Sequence, residues 1–459
     1  MMGRKRSGQG QFFYTFNLED HVPPDHLLRG IDRFLDLSGL HDHLAPYYSH
    51  TGRPSVDPEL MIRMLIIGYC YGIRSERRLC EEVQLNLAYR WFCGLSIEDT
   101  VPDHSTFSKN RHGRFREAEA FRFVFEQVLE RCFAEGLVGG EGFAVDASLV
   151  KADASRRRHH EGDDDDWGGG SRAVDEYLNS LDRSIPEGGE APKHVSQTDP
   201  SSRWVAARSK ETFYAYSTNY LIDTKGGIIM DVDATPANRT FEVDSTRTMM
   251  ERVEERFEVK PEKLIGDTAY GEAELLGWLV DAQGSTPHIP VWDKSEENDE
   301  IFGRSVFIWD AEADRYLCPG GKELLKSRRK FKKKRTHVTK AKTIIYRASK
   351  MDCDGCAMKM QCCPGHDPRK IARSIHEDAR DLVRALETTE EFAASANERK
   401  KVEMLFGHMK KILKVDRLRL RGLSGARDEF LLTATAQNLR RMAQWLGTGP
   451  PVTRAGAVP

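Results

Sequence analysis

Apolar residues in the first 135 positions recur at the spacing of amphipathic helices. Asp57 followed by Pro58 is a typical helix start, because the carboxylate can cap free backbone N–H groups and proline suits the first helical position. From there, apolar side chains recur every three or four residues as far as Tyr71. The same spacing predicts helices at 24–37 and 75–87, so this region is expected to be all-α.

The hydrophobic period changes at Gly142. The sequence GFAVDASLV predicts a strand with Asp146 near its centre. Beyond it, strands and helices alternate, which predicts an α/β core. The pattern predicts a hairpin in 212–233, a helix at 242–257, a strand at 263–271, a helix at 272–283, a strand near 288–291, and late helices that include 393–413 and 427–446.

Three carboxylates stand out by their positions. Asp146 lies in the middle of a strand, Asp267 ends another, and Glu403 shares one face of a late helix with Arg399 and Lys410. A carboxylate within a sheet is costly unless it is paired or binds a metal. Each also has a structural explanation: a salt bridge for Asp146, a turn cap for Asp267, and pairing with Arg399 or Lys410 for Glu403.

The sequence segments around these residues resemble those of the DDE transposases of bacterial insertion sequences, in the branch with a cysteine-rich insertion before the catalytic Glu. RPSVDPELMIRMLIIGYCYGIRSERRLCEEV and PDHSTFSKNRHGRF are similar to the N-terminal domain of that family. FAVDASLV and IGDTAYG resemble its two aspartate strands, and ERKKVEMLFGHMKK resembles its glutamate helix. The helix pattern of the family has Tyr where this chain has Ala396, whereas Arg399, Glu403 and Lys410 match it.

The resemblance implies an RNase H-like core, a mixed sheet flanked by helices, in which Asp146, Asp267 and Glu403 bind Mg²⁺ or Mn²⁺. It implies hydrolysis at the end of a mobile element and attack of the new 3′-OH on target DNA. Arg399 and Lys410 are expected to contact phosphates, and Asn238 to approach the site. The implied partners are double-stranded DNA, as terminal inverted repeats and target, and a second copy of the chain. No membrane and no small-molecule substrate is expected.

Composition shifts and the resemblance together predict the domain boundaries. The expected segments are a helical DNA-binding or dimerisation domain at 1–135, the first part of the catalytic core at 140–292 with a mobile acidic loop at 155–200, a basic cysteine-rich insertion at 293–365, the glutamate helix and C-terminal helices at 366–446, and a disordered tail at 447–459. Within the first domain, the basic stretch Ser105 to Arg114 is the candidate for reading bases; a bundle that only dimerises is the alternative.

Five of the nine cysteines crowd into the insertion. Cys353 and Cys356 form a CxxC motif, and together with Cys318 and Cys362 they predict a tetrahedral site for structural zinc. Cys363 could replace Cys362, and His337 and His366 are expected to be surface residues. Zinc would stabilise a small module with few apolar residues, and would take no direct part in catalysis.

Charge is balanced overall but unevenly distributed. The net charge is −2, yet residues 304–350 hold 15 Lys and Arg against 4 Asp and Glu. Within this block, the tract from Lys326 to Lys342 is expected to contact DNA phosphates, and a solvated loop is the alternative explanation. The predicted contacts are Lys326, Arg328, Arg329, Lys330, Lys332, Lys333, Lys334 and Arg335.

Two other functions fit the same residues: a catalytically inactive DNA-binding remnant, and a structure-selective nuclease on the same fold. Metal-dependent cleavage separates the first from a transposase, and strand transfer separates the second.

No apolar run approaches the roughly 18 residues of a membrane span. The N-terminus also lacks the apolar core of a secretion signal. The expected location is therefore the bacterial cytoplasm, in association with the nucleoid.

Overall fold

The computed structural model describes residues 16–49, 51–52, 55–161, 171–179, 194–206, 211–292, 301–328, 336–365 and 367–446. The chain divides into two compact units. Unit 1 comprises Met1–Gly139, Ala147–Val253 and Lys401–Pro459, and unit 2 comprises Gly140–Asp146 and Glu254–Lys400. The predicted tail at 447–459 lies outside the described residues.

The N-terminal part of unit 1 is helical, as predicted. Asp57 caps the fourth helix by accepting a hydrogen bond from the Glu59 N–H at 2.8 Å, and Pro58 is its first residue. Ser75 caps the fifth in the same way. The helices are α1 (Leu18–His21), α2 (Leu27–Phe34), α3 (Leu40–Leu44), α4 (Pro58–Cys70), α5 (Glu76–Leu85), α6 (Leu87–Phe92), α7 (His104–His112), α8 (Arg114–Glu117) and α9 (Ala120–Ala134).

Strand β1 (Gly142–Lys151) begins in unit 2 and ends in unit 1, where antiparallel strands follow it. Strand β4 pairs with β5, and β5 pairs with β6. The final helix packs on β6, α9, α2 and α4, so its apolar side forms the centre of unit 1. These elements are β4 (Arg203–Ala206), β5 (Thr212–Asp223), β6 (Ile228–Pro236), α11 (Arg239–Phe257) and the final helix α17 (Leu423–Leu446).

The segment predicted as a mobile loop at 155–200 contains regular structure in its described part. Strands β2 (His159–Glu161) and β3 (His194–Ser196) form an antiparallel pair, and α10 (Arg172–Asn179) lies between them in the chain. Ala173, Val174 and Tyr177 are buried on α10. The prediction missed these elements because the acidic tract dominates the local composition; that tract, at 163–166, lies outside the described residues.

In unit 2, the first half of β1 pairs in parallel with β7 (Lys263–Ile265), which pairs in parallel with β8 (Thr286–His288). Strand β8 is short and begins before the predicted 288–291. With the antiparallel strands of unit 1, this arrangement gives a mixed α/β protein, as expected. The helices of this unit are α12 (Ala273–Trp278), α13 (Lys350–Asp354), α14 (Lys359–Cys362), α15 (Glu377–Leu386) and α16 (Glu390–Lys411), the last of which continues into unit 1.

The cysteine-rich insertion forms a five-stranded antiparallel sheet in the order β13-β12-β11-β10-β9. Its apolar centre includes Tyr316 and Tyr346, whose rings also contact Trp309 at centroid distances of 4.8 and 5.3 Å. The module therefore buries a core of its own, contrary to the expectation of an apolar-poor segment. Its strands are β9 (Ile308–Asp310), β10 (Arg315–Leu317), β11 (Glu323–Leu325), β12 (Thr343–Arg347) and β13 (Lys370–Ser374), so the sheet extends beyond the predicted boundary at 365.

Among the helices of the described residues, none combines the length and the apolar character that crossing a membrane requires.

Candidate functional site

The two candidate aspartates each lie two residues beyond a paired position of neighbouring parallel strands. The register pairs Gly142 with Lys263 and Ala144 with Ile265. If this register is continued two residues towards the carboxyl ends, beyond the end of β7, Asp146 would stand opposite Asp267. Neighbouring strands are about 4.8 Å apart. Side chains at matching levels of parallel strands point to the same face. Both carboxyl groups are partly exposed, and this continuation of the register would bring them to the same face of the sheet in unit 2.

Asp267 has two further contacts in unit 2. One oxygen, Oδ1, accepts a hydrogen bond from the Ala269 N–H at 2.7 Å, which caps the short helical turn Thr268–Tyr270. The other, Oδ2, lies 3.9 Å from Nη1 of Arg399 on α16. The structural explanation, a turn cap, is thus correct, and it leaves Oδ2 directed towards the predicted phosphate-binding arginine.

Helix α16 is held in unit 2 by buried polar and aromatic contacts. The hydroxyl of Ser395 lies 2.8 Å from Nδ1 of His288 on β8, and the Phe392 ring stacks on the same imidazole at 5.5 Å. Burial lowers the pKa of His288, so its imidazole is neutral near pH 7. Glu398 pairs with Lys263 of β7 at 3.5 Å. These contacts set the rotation of the helix, which brings Arg399 to Asp267.

Sequence reasoning missed His288 and Ser395. The available signal was spacing: Ser395, Arg399 and Glu403 follow one another at intervals of four and therefore share a helix face. No local pattern identifies His288 as the partner, because the contact joins residues 107 positions apart.

The last turns of α16 belong to unit 1 and have their own anchor. Phe406 is buried and stacks on Tyr220 at 4.8 Å, and the Tyr220 hydroxyl donates to Gln437 at 2.8 Å. Glu403 lies on the exposed side of the helix, one turn after Arg399. Lys410 is partly buried, and this burial lowers the pKa of its ammonium group.

The predicted metal ligands do not form a completed metal site. Within the described part of the chain, no group of three or more His, Cys, Asp or Glu side chains is arranged to hold an ion. This applies to Asp146, Asp267 and Glu403 and equally to the cysteines. Carboxylate oxygens are hard ligands of the kind that Mg²⁺ and Mn²⁺ prefer.

The insertion cysteines gather around the core of their sheet. Cys353 is buried in that core, and Cys318, Cys362 and Cys363 pack against it. The Lys322 N–H points at the Cys318 sulfur, 3.3 Å away. Burial, followed by the neighbouring Cys363, raises the pKa of Cys362 to about 11. All cysteines of the described chain are free thiols. His337 is described, in a left-handed conformation with φ 60°, whereas His366 lies outside the described residues.

Only two of the predicted phosphate contacts in the basic tract are described. Lys326 pairs with Asp314, and Arg328 donates to the Glu323 carbonyl oxygen at 2.8 Å. Both therefore have local partners in the sheet. The remaining predicted contacts, Arg329, Lys330, Lys332, Lys333, Lys334 and Arg335, lie outside the described residues.

The candidate base-reading stretch forms helix α7. Arg111 is buried and pairs with Glu76 at 2.5 Å, so it is a structural residue. The exposed side carries small and basic side chains, namely Ser105, Ser108, Lys109 and His112. Asn238, expected to approach the catalytic site, accepts a hydrogen bond from the Thr240 N–H at 2.9 Å at the start of α11.

Two family models match the chain. Residues 16–113 match the model described as "Transposase domain (DUF772)", and residues 317–443 match the "Transposase DDE domain". The second range contains Arg399, Glu403 and Lys410 as well as the insertion cysteines, whereas Asp146 and Asp267 lie between the two ranges. No curated protein and no solved structure matches the chain.

The first matched range covers helices α1 to α7, and the second covers strands β11 to β13 of the cysteine-rich sheet together with the glutamate helix α16. A DDE domain implies a DNA substrate and the use of divalent metal ions. The chain belongs to the DDE transposases of insertion-sequence type.

Proposed function

We propose that the protein binds the terminal inverted repeats of its element, cleaves a DNA strand there, and joins the new 3′-OH to target DNA. The observation that carries the proposal is the parallel register of β1 and β7, which pairs Ala144 with Ile265, so that Asp146 and Asp267 each lie two residues beyond a paired position. Arg399 lies beside Asp267, and Glu403 follows it by one turn of the same helix.

The proposed roles follow from the chemistry of each group. Asp146, Asp267 and Glu403 would supply the oxygen ligands for Mg²⁺ or Mn²⁺. When bound, two such ions activate the attacking oxygen and stabilise the leaving oxygen of an in-line displacement. The Arg399 guanidinium, with its fork of N–H donors, would orient a phosphate next to Asp267, and Lys410 would add a point charge.

Water would attack the phosphorus at the element end and leave a free 3′-OH. That hydroxyl would then attack a target phosphodiester, which forms one P–O bond as another breaks. We further propose an RNase H-like core for the sheet and its helices, and a dimer of the chain on DNA, because two element ends must be held together. The mixed sheet supports the first of these.

We also propose structural zinc in the insertion, held by Cys318, Cys353, Cys356 and Cys362 or Cys363. The support is that thiols from separate segments lie close to one another. The Cys318 and Cys356 sulfurs both lie beside Gly320, since a Cβ atom at this glycine would be 3.7 Å from the first sulfur and 3.9 Å from the second. Elemental analysis should find one zinc per chain, and Cys353→Ser/Cys356→Ser should lose it. Native protein without zinc would refute this assignment.

The basic tract at 329–335 remains our proposal for sequence-neutral phosphate contacts. Replacing several of its cations by glutamine should flatten the salt dependence of DNA binding, by about 0.9 in slope for each lost contact to duplex DNA. An unchanged slope would restore the solvated-loop alternative.

The central experiment uses a labelled duplex carrying the inverted repeat found beside the gene, a plasmid target and Mg²⁺. Wild type is compared with Asp146→Asn, Asp267→Asn and Glu403→Gln. Glu391→Gln is the matched control, since it removes an exposed carboxylate from the first turn of the same helix. Joined products from wild type and the control, but from none of the other three, are the expected result.

The other outcomes are equally decisive. Cutting without joining would identify a structure-selective nuclease. DNA binding with neither reaction would identify an inactive remnant. A variant of the three acids that still cuts would remove that residue from the proposed site.

A further inference from the structure

Six exposed cations lie where two distant stretches of unit 1 run side by side. One stretch is the end of β1 and the residues after it, and the other is the linker between α16 and α17. We call this the linker surface; its cations are Lys151, Arg156, Arg157, Arg158, Arg417 and Arg421. No motif of the sequence joins the two stretches, which are more than 250 residues apart.

Backbone hydrogen bonds hold the two stretches together. The Lys151 N–H donates to the Asp416 carbonyl at 3.2 Å, and the Leu418 N–H donates to the Lys151 carbonyl at 2.8 Å. The linker is also anchored by apolar side chains, because Leu413, Val415 and Leu418 are fully buried. The linker cations therefore project from a fixed backbone, which reduces the entropy lost when they bind a ligand.

Two carboxylates orient the cations without neutralising them. Asp153 pairs with Arg417 at 3.1 Å and with Arg421 at 3.0 Å, yet these arginine side chains remain 54% and 47% exposed. Glu211 pairs with Arg156 at 3.2 Å and lies 3.9 Å from Lys151. Shallow clefts run between these side chains, and Asp153 and Glu211 are the acids that line them. The surface is left with a net positive charge.

We propose that the linker surface binds the sugar–phosphate backbone of the DNA substrate. Five of its six cations are arginines, whose planar forks match phosphate oxygens better than a lysine point charge does. An open row of such groups suits a polyanion rather than a single small anion. This inference rests on the proposed function, and it adds a contact surface that is separate from the basic tract of the insertion.

The test is the salt dependence of DNA binding by the full chain, without divalent metal, so that no cleavage occurs. The test variant is Arg157→Gln/Arg158→Gln, and its control, Arg131→Gln/Lys225→Gln, removes two exposed cations from other elements of unit 1. Arg157→Lys/Arg158→Lys keeps the charge. Each protein is titrated with a random-sequence duplex and with one of its single strands, and its fold is checked by circular dichroism.

Each phosphate contact contributes about −0.9 to the slope of log affinity against log salt for duplex DNA, and about −0.7 for a single strand. If the surface binds duplex DNA, the slope of the glutamine variant should be smaller in magnitude than that of wild type by about 1.8. Its affinity at 0.1 M salt should then be weaker by roughly 60-fold. A loss seen only with the single strand would assign the surface to unpaired DNA. The control and the lysine variant should keep the wild-type slope.

Suppose that wild type binds and cuts DNA, and that the glutamine variant keeps the wild-type slope on both probes. This result would overturn only the assignment of the linker surface. A wild-type protein that binds neither probe would overturn the proposed function as well. A slope lost equally by the control would overturn the assignment, because the effect would then follow the total charge of the protein and not this surface.

Discussion

Asp199 of unit 1 is a buried carboxyl group, and its environment predicts how stability changes with pH. Its Oδ1 accepts hydrogen bonds from the Tyr216 hydroxyl and from the Gly422 N–H, the latter at 3.2 Å. Its Oδ2 is buried and has no hydrogen-bond partner within the described residues. Burial is the main cause that raises the pKa of Asp199, from its ordinary value near 3.8 to about 7.

The sign follows from proton linkage. Between pH 4 and 7 the folded chain holds a proton on Asp199 that the unfolded chain has lost, so the free energy of unfolding falls as the pH rises. The stabilisation of the folded chain that comes from protonated Asp199 is fully present below the ordinary pKa of an aspartate, and it is lost above about pH 7. This pKa shift corresponds to about 4 kcal/mol of unfolding free energy, at about 1.4 kcal/mol for each unit of pKa shift.

Asp199→Asn should remove this dependence. An asparagine Oδ1 can still accept both hydrogen bonds, while its amide group replaces the unpartnered Oδ2 and carries no charge. The variant should therefore be more stable than wild type at pH 8 by up to about 4 kcal/mol, with little difference at pH 4.5. Asp25→Asn, a change at an exposed carboxyl, is the control.

The assay is urea denaturation at pH 4.5, 6 and 8, followed by tryptophan fluorescence. Wild type and the control should lose stability together as the pH rises, while Asp199→Asn should lose less. If Asp199→Asn and wild type change in parallel across this range, the burial of a protonated carboxyl group at this position is refuted.

Three further changes test the anchors of unit 2 and of α16. Ser395→Ala should cost about 1–3 kcal/mol of unfolding free energy, because it leaves the buried His288 ring without its partner, and thermal denaturation would measure it. Phe406→Ala should cost about 3–5 kcal/mol by opening a cavity against the stacked tyrosine, whereas the exposed Met404→Ala should change stability by less than about 0.5 kcal/mol; equal effects would contradict the packing argument. Glu377→Gln should cost about 3–5 kcal/mol, since three guanidinium groups converge on this buried carboxylate; an unchanged melting temperature would disprove that role.

Local chemistry accounts for the parts that the sequence predicted well. The cap at Asp57, the proline after it and the apolar spacing of α4 act within a few residues of one another, so their effect does not depend on the rest of the fold. The strand around Asp146 and the helix around Glu403 were predicted for the same reason. Where charge dominated the composition, as in 155–200, the prediction missed short strands whose pairing partners are distant in sequence.

Tertiary structure decided which of these residues meet. The sequence by itself identified Asp146, Asp267 and Arg399 by their types and spacing, and its resemblance identified the family. The register of β1 and β7 pairs the residues two positions before each aspartate, and the contact between Ser395 and His288 fixes the helix whose Arg399 lies 3.9 Å from Asp267. The physical reason is that helix starts and strand periods arise from neighbouring residues, whereas register and helix rotation arise from the burial of side chains brought together across more than 100 residues of chain.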